Sequence, residues 1–239
     1  MTATEDAALR TQVDELLGNI KKKLDELMKA INDKIGWLPG WAADKVVEGW
    51  NWLCGKMADL WNVLSDVVTH MGSPSALWDT ASAWVDSVGS PVSSKNQAMA
   101  AGSLSVDDRW EGSAADSYRQ VLPLQQAALD KIRSSFAEGA SSALGDVATA
   151  ILLFWFALVA ALAALIAGIV SALASSATIV GLPAGPFIAG AAAVVACGAV
   201  GAGAANLSNA ANKADLGLRQ KVDDNSAFLD GHWPVAVRS

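Results

Sequence analysis

Apolar residues recur along the start of the chain at Leu9, Val13, Leu16, Ile20, Leu24, Leu27, Ile31 and Ile35. Their steps of three and four predict an amphipathic helix over 5–35, with a stripe that runs nearly straight or slightly right-handed. The opposite face is charged, so this helix packs along one side only. Gly36, Pro39 and Gly40 break the pattern. A second helix is predicted over about 41–71, with the stripe Val46, Trp50, Leu53, Met57, Leu60, Trp61, Leu64, Val67 and Val68. Gly72-Ser73-Pro74 closes it, with Ser73 as N-cap and Pro74 as first helical residue of the next helix. That helix, over about 74–88, carries Leu77, Trp78, Trp84 and Val88. Gly89-Ser90-Pro91 marks another break, and an Ala-rich helix is expected over 92–107.

The pattern then changes. Residues 147–174 are apolar on every side and contain no proline. Their 28 residues of helix reach about 42 Å, beyond the ~30 Å hydrocarbon core of a bilayer. Fourteen Leu, Ile, Val and Phe side chains give roughly −4 to −8 kcal/mol for insertion. Gly181, Pro183, Gly185 and Pro186 make a turn, and a second apolar helix returns over 188–211. It has few large aliphatics and needs a neighbour. Gly181, Gly185, Ala189, Ala193, Cys197, Gly201 and Ala205 recur every four residues. Small residues at that spacing let helices approach closely in lipid. The groove they form receives either the 147–174 helix or a second subunit. The pattern resembles the glycine zippers of membrane-active proteins, including some depolarising toxins of type VII secretion systems.

Composition sharpens this picture. Of 239 residues, 52% are hydrophobic and 17% charged, and no charged side chain lies between residues 147 and 212. So long a neutral run excludes a disordered chain and disfavours an ordinary soluble enzyme. The hairpin is either membrane-inserting or the core of a soluble bundle sheathed by the helices of 5–88. Insertion from the cytoplasm would leave both termini there, since Lys131, Arg133, Lys213, Arg219 and Lys221 flank the hairpin and its loop has no cation. The net charge of −7 and the lack of a basic stripe exclude nucleic acid as a partner. Residues 1–35 hold thirteen charges and no apolar core, so no cleavable signal peptide is expected.

Seven of the ten tryptophans lie between residues 37 and 84. Tryptophan suits sites with one apolar and one wet side. Trp41, Trp50, Trp52, Trp61 and Trp155 are therefore interfacial candidates, with inter-helix packing as the alternative. Trp110-Glu111-Gly112 lies between two helical stretches. Gly112 permits a left-handed turn, Trp110 covers it, and Ser113 is placed to cap the following helix. With Ala114, Ala115 and Tyr118, this segment resembles the Trp-x-Gly (WXG) helical-hairpin family of type VII secretion substrates. Tyr118-Arg119-Gln120-Val121-Leu122-Pro123 is also similar to longer actinobacterial relatives. The resemblance covers roughly residues 74–145. It implies an antiparallel helical hairpin, pairing with a second helical protein or with itself, and export without a signal peptide. The family's export signal is a tyrosine followed four residues later by an acid. Here Leu122 follows Tyr118, the only tyrosine, so that signal is missing or a partner chain supplies it.

No catalytic motif is present. His70 and His232 are the only histidines, and Cys54 and Cys197 read as small apolar residues. The acidic pairs Asp107-Asp108 and Asp223-Asp224 read as helix-end and tail solvation. No enzyme activity, cofactor, metal or small-molecule substrate is expected. The expected fold is all-α: an amphipathic region over 1–72, a Trp-x-Gly hairpin over 73–145, a hydrophobic hairpin over 146–211 and a polar tail over 212–239. The expected partners are membrane lipid and a helical chain of the Trp-x-Gly type or a second copy. The expected location is a membrane, reached directly or after type VII export, and the expected role is to permeabilise it or form a channel by self-assembly. The alternative is a non-toxic helical adaptor or carrier, membrane-anchored or soluble, that binds a partner of the Trp-x-Gly type.

Overall fold

The computed structural model describes residues 2–99, 109–223, 226–228 and 231–234. The fold is all-α, with no strand among the described residues. The helices are α1 (Ala3–Asn32), α2 (Gly40–His70), α3 (Pro74–Trp84), α4 (Ser90–Ala98), α5 (Ser113–Lys131), α6 (Glu138–Ser176) and α7 (Gly185–Asp223). The C-terminal part of the helix expected over 92–107, with Asp107 and Asp108, lies outside the described residues, as do Asp224 and the His70 and Val67 side chains.

The chain groups into two compact units, Met1–Pro74 with Ala150–Asn209, and Ser75–Thr149 with Ala210–Ser239. Each unit is thus assembled from separated segments, where the sequence suggests four consecutive blocks. In the first unit α1 and α2 form one hairpin, and the apolar parts of α6 and α7 form another. Thr2 starts α1 with a reciprocal capping box to Glu5. Arg10 lies over the Trp155 ring at 5.7 Å, and Lys34 reaches the carbonyls of Ser176 and Ala177 at 2.9 and 2.7 Å. Helix α1 therefore runs parallel to α6. Gly49 faces Phe187 and Gly190 faces Trp52, so α2 runs parallel to α7. The loops of both hairpins meet at one end of the unit.

A seven-residue rhythm orders this core. In α6 the residues Ile151, Trp155, Leu158, Leu162, Leu165, Ile169, Ala172 and Ser176 are buried. In α7 the matching series is Pro186, Ala189, Ala193, Ala196 and Val200. Alternating steps of four and three describe knobs-into-holes packing with a left-handed tendency. The buried positions of α1 include Asp6, Val13, Ile20 and Leu27, seven apart, and those of α2 include Val46, Leu53 and Leu60. This corrects the straight or right-handed stripe expected for α1: Leu9, Leu16 and Leu24, counted in that stripe, only flank the buried seam.

The second unit is built around an antiparallel helix pair. Asn96 Nδ2 donates to Asp130 Oδ1 at 2.5 Å, Gln126 Nε2 to the Met99 carbonyl at 2.7 Å, and Arg133 to Ser93 Oγ at 3.2 Å. One expected break is absent. Gly89-Ser90-Pro91 lies within a continuous helix, because a π-turn over Val85–Gly89 joins α3 to α4. Ser90 N–H bonds the Val85 carbonyl there, so the proline follows a point where the ladder has already shifted to i→i−5. A second π-turn, Ile132–Ala137, joins α5 to α6, giving one helix from Ser113 to Ser176. The returning helix also runs beyond its expected end at 211. Helix α7 extends to Asp223, supported by an Asp215–Arg219 pair at 2.9 Å and by good helix formers. Beyond it Phe228 stacks edge-on against Phe136 and Trp233.

These contacts give a direct test of helix approach. A Cβ on Gly168 would overlap the Ala192 Cβ, whereas Gly201 has open space around it. Both Gly→Leu changes improve helix propensity, but only Gly168→Leu separates α6 from α7. Gly168→Leu should lower stability by about 1–3 kcal/mol in urea unfolding, and Gly201→Leu should leave it equal or slightly higher.

Candidate functional site

The hydrophobic hairpin is the first candidate. Two helices, Ser113–Ser176 and Leu182–Asp223, are long and apolar enough to cross a membrane. Their most apolar stretches are only 39% and 28% buried. Inner positions carry the heptad seam. Outer positions carry Leu153, Phe156, Val170, Val194 and Val195, all exposed. A helix that is apolar all round but covered on one face has an unsatisfied second face.

The seam itself pairs large residues with small ones. Phe154 sits against Gly203, at 3.0 Å from where a Cβ would be, and Ser176 fills the space at Gly185. Of the small residues spaced by four, Gly185, Ala189 and Ala193 are buried, Cys197 is half-buried, and Gly201 and Ala205 are exposed. Gly181 lies in the turn before α7. The expected continuous groove is therefore divided. Each step of four advances about 400° around a helix, so the row drifts about 40° per step. Ala189 and Ala193 face α6, and the row has turned outward by Gly201.

The tryptophans separate similarly. Trp155, expected at an interface, is in the core at 2% exposure, which corrects that assignment. Trp50 is half-buried, and Trp52 packs on Gly190 and tilts against Phe187 at 6.0 Å. Trp61 is exposed on α2, although it counts in the apolar stripe. Trp41 is 73% exposed and Trp37, which sequence reasoning left out, is 76% exposed. Trp37 falls in the short turn Ile35–Trp37, where no helical period marks it.

The Trp-x-Gly segment opens α5. Gly112 has φ 103° and ψ 175°, a conformation essentially restricted to glycine, and it holds the N-cap position. Its carbonyl accepts the Asp116 N–H at 3.1 Å. Ser113 is the first helical residue, so it does not supply the expected cap: the glycine backbone occupies that place. Trp110 and Tyr118 are tilted ring neighbours at 5.9 Å, and Arg119 donates to the Trp110 carbonyl at 3.1 Å. The arrangement clamps the turn onto the first turns of α5, with Trp110 partly exposed.

Titratable chemistry is sparse. Among the described residues no three His, Cys, Asp or Glu side chains gather as a metal-binding group. Lys56 has its pKa raised by a hydrogen bond from its ammonium to Asp59, at 2.8 Å on the surface of α2. Both cysteines are free thiols, with Cys54 exposed rather than in the apolar setting expected for it. Comparison with protein-family models, curated proteins and solved structures finds no match.

The strained turn yields a second test. A Cβ on Gly112 meets no neighbour, so any cost of Gly112→Val is backbone strain alone. That cost should be about 1–3 kcal/mol, read as a lower thermal midpoint. An unchanged midpoint would remove Gly112 as the determinant of the turn.

Proposed function

We propose that this chain inserts its hydrophobic hairpin into a membrane and permeabilises it by self-assembly. The observation that carries this reading is the half-covered hairpin: a neutral run over 147–212, whose most apolar stretches are only 39% and 28% buried and whose outer positions carry exposed large apolar side chains. A permanent core of a water-soluble bundle would have its outer face sheathed as well as its seam. The cost of leaving Leu153, Phe156 and Val195 in water disappears when lipid covers them.

Self-assembly uses the outward part of the small-residue row. Gly201 and Ala205 are exposed, and Gly198 and Ala202 lie exposed beside them. That outer face allows close approach of a second hairpin once both are in lipid. Export by a type VII system, in partnership with a helical chain of the Trp-x-Gly type, is the route that the Trp110-Glu111-Gly112 resemblance implies.

Dye-loaded liposomes test this reading. Wild-type protein should release dye with a steeper than linear dependence on its concentration. Gly201→Ile should bind vesicles as well as wild type, because its added Cβ has free space within one chain, yet should release at least about tenfold less dye through lost packing between subunits. Vesicle binding without any release by wild type would leave a membrane-anchored adaptor in place of a permeabilising protein.

A further inference from the structure

We propose that the end of the first unit where its two hairpin loops meet is the surface that first docks on a bilayer, and that it docks on uncharged lipid. This rests on the membrane reading above and names the part of the molecule that makes the initial contact.

The two loops are joined by direct bonds. The Lys34 ammonium donates to the carbonyls of Ser176 and Ala177, which end α6 and start the α6–α7 loop. A cation at this position also satisfies two carbonyls at the negative end of the α6 dipole. On the far side of the loop, Leu182 is fully buried, and the turn Leu182–Ala184 packs on α2. The α1–α2 loop and the hairpin loop are therefore held together, each presenting its remaining side chains outward.

What they present is apolar. Val180 is 93% exposed, Ile179 is exposed beside it, and Trp37 and Trp41 stand out from the other loop and the start of α2. None of these four side chains belongs to the buried core. The hairpin loop contains no charged residue, and the Lys34 ammonium is already committed to backbone carbonyls. Two exposed indoles and two aliphatic side chains around a neutral loop match the headgroup–acyl boundary, where Trp is favoured and aliphatic groups enter the chains.

The tip is also continuous with the part that must cross. The exposed apolar face of α6 and α7 leads away from the same loop, so docking here places the bend of the hairpin, its leading point, at the lipid. A docking face that used charge would need free cations beside it for anionic headgroups. Here the neighbours are Asp33, Asp44 and Lys45, and Lys45 is paired with Glu48.

The full-length chain is tested by vesicle flotation, with phosphatidylcholine vesicles and with vesicles containing phosphatidylglycerol. The variants are Trp37→Ser with Trp41→Ser, and separately Val180→Asp. Trp61→Ser is the control: it removes an exposed indole from α2 roughly 30 Å along the helix from Trp41. All four changed positions are exposed, so circular dichroism melts should match wild type. The proposal expects wild type to float with phosphatidylcholine alone. Both tip variants should float about tenfold less or weaker still, and Trp61→Ser should float like wild type. Equal flotation of wild type and both tip variants overturns the tip. Binding that needs phosphatidylglycerol overturns the uncharged-lipid claim. Absence of binding by wild type, with a dimer in solution that Val180→Asp dissociates, assigns the tip to self-association and overturns it as a lipid surface. Tip-dependent binding without dye release leaves this inference standing and removes the permeabilising reading.

Discussion

The seam between α6 and α7 is the contact on which the first unit depends. One helix supplies Trp155, Leu158, Leu162, Leu165 and Ile169, and the other answers with Pro186, Ala189, Ala193, Ala196 and Val200. Large side chains on one helix need small ones opposite if two backbones are to approach, and Gly168 against Ala192 and Gly185 against Ser176 are two points with no room for a further Cβ. Because the second helix is so poor in large residues, it brings little burial of its own and depends on the first. The amphipathic helices α1 and α2 then cover one side of this pair with their own seven-residue seams. Their other faces carry charge, which gives the unit a polar side and leaves the opposite side of the hairpin apolar.

Much of this organisation was legible in the chain. The 3.6-type periods located α1 and α2, and the neutral run located the hairpin, since burial and solvation impose those patterns directly. The errors have physical causes too. Counting small residues every four positions took a drifting row for a single face, and only three-four alternation keeps a face turned to its partner over several turns. Gly89-Ser90-Pro91 looked like a break, yet a π-turn absorbs Pro91 within a continuous helix. Trp155 lies in the core while Trp41 and Trp61 stand exposed, because tryptophan serves both settings and its type alone does not choose. The tip was the least legible feature. Trp37 and Val180 belong to loops, and only the folded chain brings those loops together.

The polar contacts fit this division of labour. Among the described residues, pairs such as Lys23–Glu26 and Lys56–Asp59 are local, three positions apart, and contribute little to stability. The Lys34 bonds to Ser176 and Ala177 are different: they join residues more than a hundred positions apart and fasten the hairpin loop to the amphipathic pair. In the proposed insertion, the hairpin leaves this cover and exchanges water for lipid on its outer face.

That exchange of water for lipid on the outer face of α6 is the central claim, and thiol reactivity reads it directly. Leu153 is exposed about a quarter of the way along the apolar run 147–174. In a chain carrying Cys54→Ser and Cys197→Ala, a single Leu153→Cys thiol should react readily with a membrane-impermeant maleimide in solution. After incubation with phosphatidylcholine vesicles it should be protected. Equal reactivity with and without vesicles, under conditions where the protein is vesicle-bound, would contradict insertion of the hairpin.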